Sequence, residues 1–297
     1  MVAIRPRTRK ERRYRKAATA ARTRLDHVRA DIRELGRIGQ PVLAREREAV
    51  VAALMENRQL LGRTSSQGSV PALAPMDLDR WVLWKPEPGD SIGELRVGTL
   101  REGRDGETLP VPCVVPFVPG RAIVIVSRTD RQRDEALGLW QSLVTRLAAL
   151  SGGRTEMVLL DPMGRGFEGG HRLFSTVVTG ADIPAQLERW AAEIAGPEGR
   201  VIAASDVPLG FGQRDAALLL AMVRSGRLGE STIVLHLDED VYRSSIGEPD
   251  LGVAGDCWII DIGEAEIVEP GLEASVIWDS SPQQPLLELI ADRITTR

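Results

Sequence analysis

The residues with chemistry to offer gather in a few short segments. Ser127-Arg128-Thr129-Asp130-Arg131-Gln132-Arg133-Asp134 is a polar run behind an apolar one, and Asp161, Asp206 and Asp238 each close an apolar run of their own. A strand, a polar loop, a long helix and a second strand ending in an acid form a frame on which nucleotide-binding proteins carry a phosphate loop. That chemistry needs glycines, so that backbone N–H groups wrap the phosphates, a Lys for the terminal phosphates and a Ser or Thr for magnesium. The run 127–134 has no glycine and no Gly-Lys-Ser/Thr. Asp130, Asp134 and Glu135 fall where phosphate would lie, with Arg128, Arg131 and Arg133 to offset them. Hydrolysis also asks for an acid at the end of the third strand, usually with a neighbouring Glu; Asp206 supplies the acid, but Val207 follows it. The reading is a vestigial nucleotide site of Ser127, Arg128, Asp130, Arg131, Asp161 and Asp206, with no catalytic residue, metal or cofactor. ATP and magnesium enter only if the chain is a hydrolase with an atypical loop.

Other reactive residue types stand apart. His171 and His236 have no companion at ligand spacing, and His236, inside a strand run, reads as a core or edge histidine. Cys113 among prolines and Cys257 at the start of a strand read as structural. Asp238-Glu239-Asp240 has the composition of a cation site, but reads as a solvated acidic turn. Gly164, Gly166, Gly169 and Gly170 make a connector beside the ligand edge, from which Arg165 and Arg172 could reach a partner or nucleic acid. No Gly-x-Ser-x-Gly elbow is present.

Charge is unevenly placed. Residues 1–37 hold 13 Arg or Lys against four acids, a net of +9, which leaves −13 on residues 38–297. Arg5, Arg7, Arg9, Lys10, Arg12, Arg13, Arg15 and Lys16 crowd into one stretch with a single acid, Glu11. Such a tail suits nucleic-acid phosphates, a lipid surface, an acidic protein, or simply water. Two distant cysteines in 297 residues predict a reduced, cytoplasmic protein rather than a disulfide scaffold. No apolar run approaches the length of a membrane span, and no apolar segment backs the basic start as in a secretory signal.

The elements that must position these groups follow from periodicity. Leu25, Val28, Ile32 and Leu35, then Val42 to Leu61, predict a helical hairpin or short coiled coil. Residues 1–62 are thus a basic tail and helical arm, 63–76 a linker, and 77–297 an α/β domain. Trp81 to Trp84 and 94–98 read as short extended segments, with one of the two tryptophans buried. The four prolines between 109 and 119 allow an edge piece at best. Beyond them come strands at 121–126, 156–161, 200–206 and 231–238, with helices at 133–150, 183–195 and 213–225. Strands at 257–262 and 274–278 and a helix from 285 to about 294 complete the chain. The alternation predicts a doubly wound, mainly parallel sheet.

The order of these pieces resembles the FtsK/SpoIIIE-type ATPases of the FtsK–HerA superfamily over about two-thirds of the chain. The matching residues are Ala136-Leu-Gly-Leu-Trp-Gln-Ser-Leu-Val-Thr-Arg-Leu147, Met157-Val-Leu-Leu-Asp-Pro-Met-Gly164, Val201-Ile-Ala-Ala-Ser-Asp-Val-Pro-Leu-Gly-Phe211 and Ile233-Val-Leu-His-Leu-Asp238. It is similar above all to the degenerate module that precedes an intact one in some large bacterial proteins. The resemblance implies a RecA-like P-loop fold whose Walker motifs have decayed. It implies a pseudo-ATPase working with an active FtsK/HerA-type ATPase, with itself, or near DNA. The competing expectations are a DNA-dependent ATPase with its arginines turned toward a neighbour's phosphates, and a nucleic-acid-binding scaffold that uses the basic arm.

Overall fold

The computed structural model describes residues 72–85, 94–102, 108–163, 167, 169–192, 199–225, 228–249, 251, 257–264, 266–269 and 272–295. The expected basic tail, with Arg5 to Lys16, and the expected helical arm lie outside the described residues. The chain divides into two compact units, residues 1–56 with 269–272 and residues 57–268 with 273–297. All described residues but Glu269 and Leu272 belong to the second.

Its centre is a six-stranded sheet whose strands run, edge to edge, Thr176–Thr179, Glu156–Asp161, Arg200–Val207, Thr232–Asp238, Ala122–Ser127 and Cys257–Asp261. The strands are β3 (Ala122–Ser127), β4 (Glu156–Asp161), β5 (Thr176–Thr179), β6 (Arg200–Val207), β7 (Thr232–Asp238) and β8 (Cys257–Asp261). Every pairing is parallel. This is the doubly wound, parallel α/β architecture that the alternation predicts. In it the loop strand β3 is separated from β6, which carries Asp206, by β7 alone. β3 and β7 are buried on both faces along their whole length, which their unbroken apolar runs require.

The connecting helices are α2 (Asp130–Ser151), α3 (Asp182–Ala192), α4 (Gln213–Ser225) and α5 (Glu239–Ser245), after a single turn α1 (Leu78–Trp81), and α6 (Gln284–Thr295) closes the chain. One core, on the face that holds α2 and α6, stacks Trp140 edge-on against Phe167 at 5.7 Å and Phe167 against Phe174 at 5.9 Å. Phe167 is fully buried, worth about 2–3 kcal/mol, so it ties the glycine-rich connector to the body. The other face buries Ile183, Leu187, Ala216, Leu219 and Tyr242 of α3, α4 and α5. Gly152, left-handed at φ 55°, ends α2 by donating to the Ala149 carbonyl.

A second sheet was not foreseen. β1 (Glu94–Glu102), β2 (Thr108–Pro116), β9 (Glu266–Glu269) and β10 (Leu272–Trp278) make a four-stranded sheet in the order β2-β1-β10-β9. β1 pairs antiparallel with both neighbours. β10 therefore leaves the parallel sheet to which the alternation had assigned it. The proline-rich stretch is an edge strand, with Pro112 opposite Thr99 and Pro116 opposite Glu94. Proline has no N–H, and residues two apart turn their N–H groups to the same side, so these prolines remove ladder donors from a single edge.

Residues 72–76 lie against the body. The Ala72 carbonyl accepts from the Arg96 N–H at 2.9 Å, and the Ala74 carbonyl accepts from Arg146 at 2.7 Å. Arg146 and Arg96 share Asp279, at 2.6 and 3.1 Å, with all three side chains buried. Burial pushes the Arg146 guanidinium down to about 10 despite Asp279. Trp81 and Trp84 are both buried, edge to face at 5.7 Å, because 81–84 is a turn and not the strand expected. Arg293 secures that turn by donating to the carbonyls of Trp81, Val82 and Trp84.

Candidate functional site

The carboxyl ends of the parallel strands bring the sequence-predicted groups to one edge. Parallel register sets Ser127 beside Asp238, and Val126 beside Asp261. β3 ends at Ser127 and α2 begins at Asp130, so Arg128 and Thr129 alone connect them. Thr129 caps the helix, its hydroxyl accepting from the Gln132 N–H at 3.3 Å. The Gln132 side chain turns back and accepts from the Arg128 N–H at 2.9 Å. Thr-x-x-Gln is thus a capping box with its return bond shifted one residue outward. It was legible in the sequence and would have started the helix at Asp130 rather than 133. The Arg133 N–H donates to the Thr129 carbonyl at 2.8 Å, the first turn of the helix itself.

Each partly buried cation of the loop has a carboxylate from another strand end. Arg128 donates from Nε to Glu239 at 2.7 Å and reaches Asp261 with a terminal nitrogen at 2.5 Å. The hydrogen bond to Asp261 holds the Arg128 pKa up, against its partial burial. Arg243 joins the network through Glu239 at 2.6 Å and Glu248 at 2.8 Å. Arg133 donates from Nε to Oδ1 of Asp206 at 2.8 Å. Arg131 is exposed and faces Glu135 at 3.8 Å, one turn along the helix; Asp130 and Asp134 are exposed as well.

Asp206 has an unusual backbone. Its φ of 56° makes it the one positive-φ residue other than glycine among the described residues. Asp tolerates the left-handed region better than most side chains, and such residues mark sites held in place by their surroundings. Here His236 does the holding. Its Nδ1 accepts from the Asp206 N–H at 3.2 Å and lies 3.5 Å from Asp206 Oδ1, while Nε2 is 2.9 Å from Ser127 Oγ. His236 and Ser127 are completely buried. Burial raises the Asp206 carboxyl, but its interactions with His236 and Arg133 outweigh it and hold the group below the usual carboxylate range. Ser127, His236 and Asp206 stand in the order of a hydrolytic triad, but a hydroxyl with no exposure meets no substrate.

The remaining groups have local roles. Asp161 is buried at the end of β4. The acidic stretch after β7 is not the solvated turn expected but the start of α5. Asp238 caps it by accepting from the Val241 N–H at 3.1 Å, Glu239 is buried among arginines, and only Asp240 faces water. No group of three His, Cys, Asp or Glu among the described residues is arranged to hold a metal. The Cys113 thiol, half buried, is pushed up by burial, which keeps it protonated and unreactive. Arg172 pairs with Asp292 at 2.7 Å on the surface, His171 opens an exposed 3₁₀ turn, and Arg165 lies outside the described residues. Among the described residues, no helix is long and apolar enough to cross a membrane.

No protein-family model matches the chain, and no curated protein is significantly similar to it. Among solved structures, it is similar to ATPases 2 and 3 of EccC from Thermomonospora curvata, in complex with a signal sequence peptide. The identity is 16% and the TM-score 0.43, over 71% of this chain and 48% of that one. ATPases 2 and 3 of EssC from Geobacillus thermodenitrificans give 10% identity and a TM-score of 0.40, over 77% of this chain and 51% of that one. The cytoplasmic domain of EssC gives 10% and 0.40, over 69% and 49%. The chain spans about half the length of each of these structures.

Proposed function

We propose that this chain is an FtsK/SpoIIIE-type module that does not hydrolyse ATP and acts in assembly, docking to an active ATPase of that type or organising a complex around one. The observation that carries the reading is the Arg133–Asp206 bond at 2.8 Å. In a magnesium-dependent hydrolase the acid ending this strand serves the metal, and the first turn of the loop helix serves the phosphates. Here a cation from that helix turn occupies the acid directly.

Two further features support it. A two-residue connection whose Arg128 N–H is taken by Gln132 leaves little backbone to wrap a phosphate. Arg128 is committed to Glu239 and Asp261, so it is poorly placed to act as a finger toward a neighbour's phosphates. Titration with magnesium–ATP is expected to give no measurable heat, with no phosphate release in the presence or absence of duplex DNA. Micromolar binding together with DNA-stimulated phosphate release would establish the alternative, a genuine DNA-dependent ATPase. An assembly role predicts comigration with an active FtsK-type ATPase, or self-association, in sedimentation velocity.

A second reading rests on the net +9 of residues 1–37. It makes the basic tail a nucleic-acid contact and the α/β body its scaffold, in the cytoplasm.

A further inference from the structure

His236 can meet Asp206 in two ways. It sits inside β7 with no exposure, yet each ring nitrogen has a partner on a different strand: Ser127 on β3 and Asp206 on β6. At 3.2 Å and with the N–H aimed at it, Nδ1 is an acceptor for the Asp206 backbone. A neutral imidazole accepting at Nδ1 carries its proton on Nε2, which then donates to Ser127 Oγ. The Asp206 carboxylate waits 3.5 Å from the same Nδ1. The backbone N–H and the carboxylate of a single residue thus compete for one ring atom, and the proton on that atom decides between them.

We propose that His236 is a proton-operated latch on the Asp206 turn: uptake of a proton from solvent at Nδ1 exchanges the Asp206 N–H for the Asp206 carboxylate. The balance is simple. One proton arrives and one hydrogen bond, N–H to Nδ1, is lost. Another forms from Nδ1–H to Oδ1, and the new imidazolium faces an existing carboxylate. Ser127 keeps its bond with Nε2–H in both states. The consequence falls on the backbone, because Asp206 is held at φ 56° and its carbonyl accepts from the Leu209 N–H at 2.6 Å. That turn packs against the one after β4. A side chain at Gly210 would lie 2.5 Å from Met163 Cγ, so the two turns are in close contact. A proton on a buried ring is thereby coupled to the shape of the sheet's carboxyl edge.

Among the described residues, the groups at the ring or bonded to its partners come from three elements. β6 contributes Asp206, β3 contributes the uncharged Ser127, and α2 contributes Arg133, which is bonded to Asp206. Asp238, two residues along β7, and Asp130, at the start of α2, act on Arg133. The Arg133 guanidinium, 2.8 Å from Asp206 Oδ1, favours the charged carboxylate that receives the new donor.

The latch is independent of the nucleotide reading and is tested without nucleotide. The chain has three histidines, so the His27→Gln, His171→Gln variant leaves His236 as the only ring to observe. Its imidazole nitrogens and the Asp206 amide are followed by NMR on the full chain from about pH 8 to about pH 5. The expected result is an Nε2–H tautomer at the high end. The Asp206 amide should then shift with the same midpoint as the ring, and its exchange protection should fall about tenfold, as loss of one hydrogen bond implies. A proton already on Nδ1 at the high end overturns the proposal. So does a ring that stays neutral wherever the protein is folded, or one that titrates while the Asp206 amide stays unmoved.

Discussion

Arg133 and Asp206 are joined at 2.8 Å across the carboxyl edge of the parallel sheet, although 73 residues separate them in the chain. The bond links the first turn of α2 to the end of β6 over the intervening strand β7. Their side chains are 29% and 27% exposed, so the pair is screened less than a surface bridge but is not sealed.

Removing the cation should therefore cost a moderate amount. Arg133→Ala is expected to lower stability by about 1–2 kcal/mol, at the low end for a hydrogen bond to a charged group because both side chains are partly exposed. Arg131→Ala, on the exposed i,i+4 pair with Glu135, is expected to stay within about 0.5 kcal/mol. Urea unfolding of both variants decides it. Equal, negligible losses would mean that the Arg133 bridge contributes nothing to the fold.

Asp206 gives a prediction with a sign. A carboxyl held below its ordinary value contributes stability that is fully present above its unfolded pKa of about 4 and is lost as pH falls through the lower folded value. The stability gap between the wild type and Asp206→Asn is expected to shrink as pH falls below about 4. Asn also tolerates the left-handed backbone, whereas Ala does not. Asp206→Ala should therefore lose about 1 kcal/mol more than Asp206→Asn at neutral pH. A gap that ignores acid would show that the carboxylate's partners do not matter in solution.

Much of this site was legible in the sequence, and the reason is burial. Strands such as Ala122–Ser127 and Thr232–Asp238 are apolar throughout because both faces are covered, so each announces itself and the acid that closes it. What eluded the sequence was pairing. Nothing local says that His236 lies beside Ser127, 109 residues away, or that Arg133 reaches Asp206 rather than a ligand. β5, at Thr176–Thr179, was missed because three of its four residues are exposed and it has no apolar run. Leu272–Trp278 looked like another parallel strand because sequence pattern gives strand character without neighbours. Its place beside β1 comes from long-range pairing, from Gly98 opposite Trp278 to Glu102 opposite Ala274.

Asp279 tests the attachment of residues 72–76. It faces both Arg96 and Arg146, whose side chains are 9% and 0% exposed. Neutralising it strands buried charge, so Asp279→Asn is expected to cost about 3–5 kcal/mol. Asp292→Asn, which breaks the exposed bridge to Arg172, is expected to cost less than about 1 kcal/mol. Limited proteolysis should then cut the Asp279 variant near residues 72–76, whose carbonyls Arg146 holds. Similar stabilities for the two variants would mean that the buried triad is no more than a surface bridge.

The basic tail separates the remaining functional readings. Arg5 to Lys16 carries eight cations and one acid, whereas residues 38–297 are net −13. Phosphate therefore finds its attraction at one end of the chain and repulsion over the rest. If those eight cations meet DNA phosphates, log affinity should fall with log salt at a slope of about −7. Deletion of residues 1–16 is expected to abolish both the affinity and the slope while leaving the thermal unfolding of the α/β body unchanged. Fluorescence anisotropy with a labelled duplex across about 50–200 mM salt gives the slope, and calorimetry gives the unfolding. DNA binding that survives the deletion would move the contact onto the body, against its charge, and would argue for a translocase-like DNA path. Absence of binding in both chains would leave the tail as a docking arm for protein and strengthen the assembly reading.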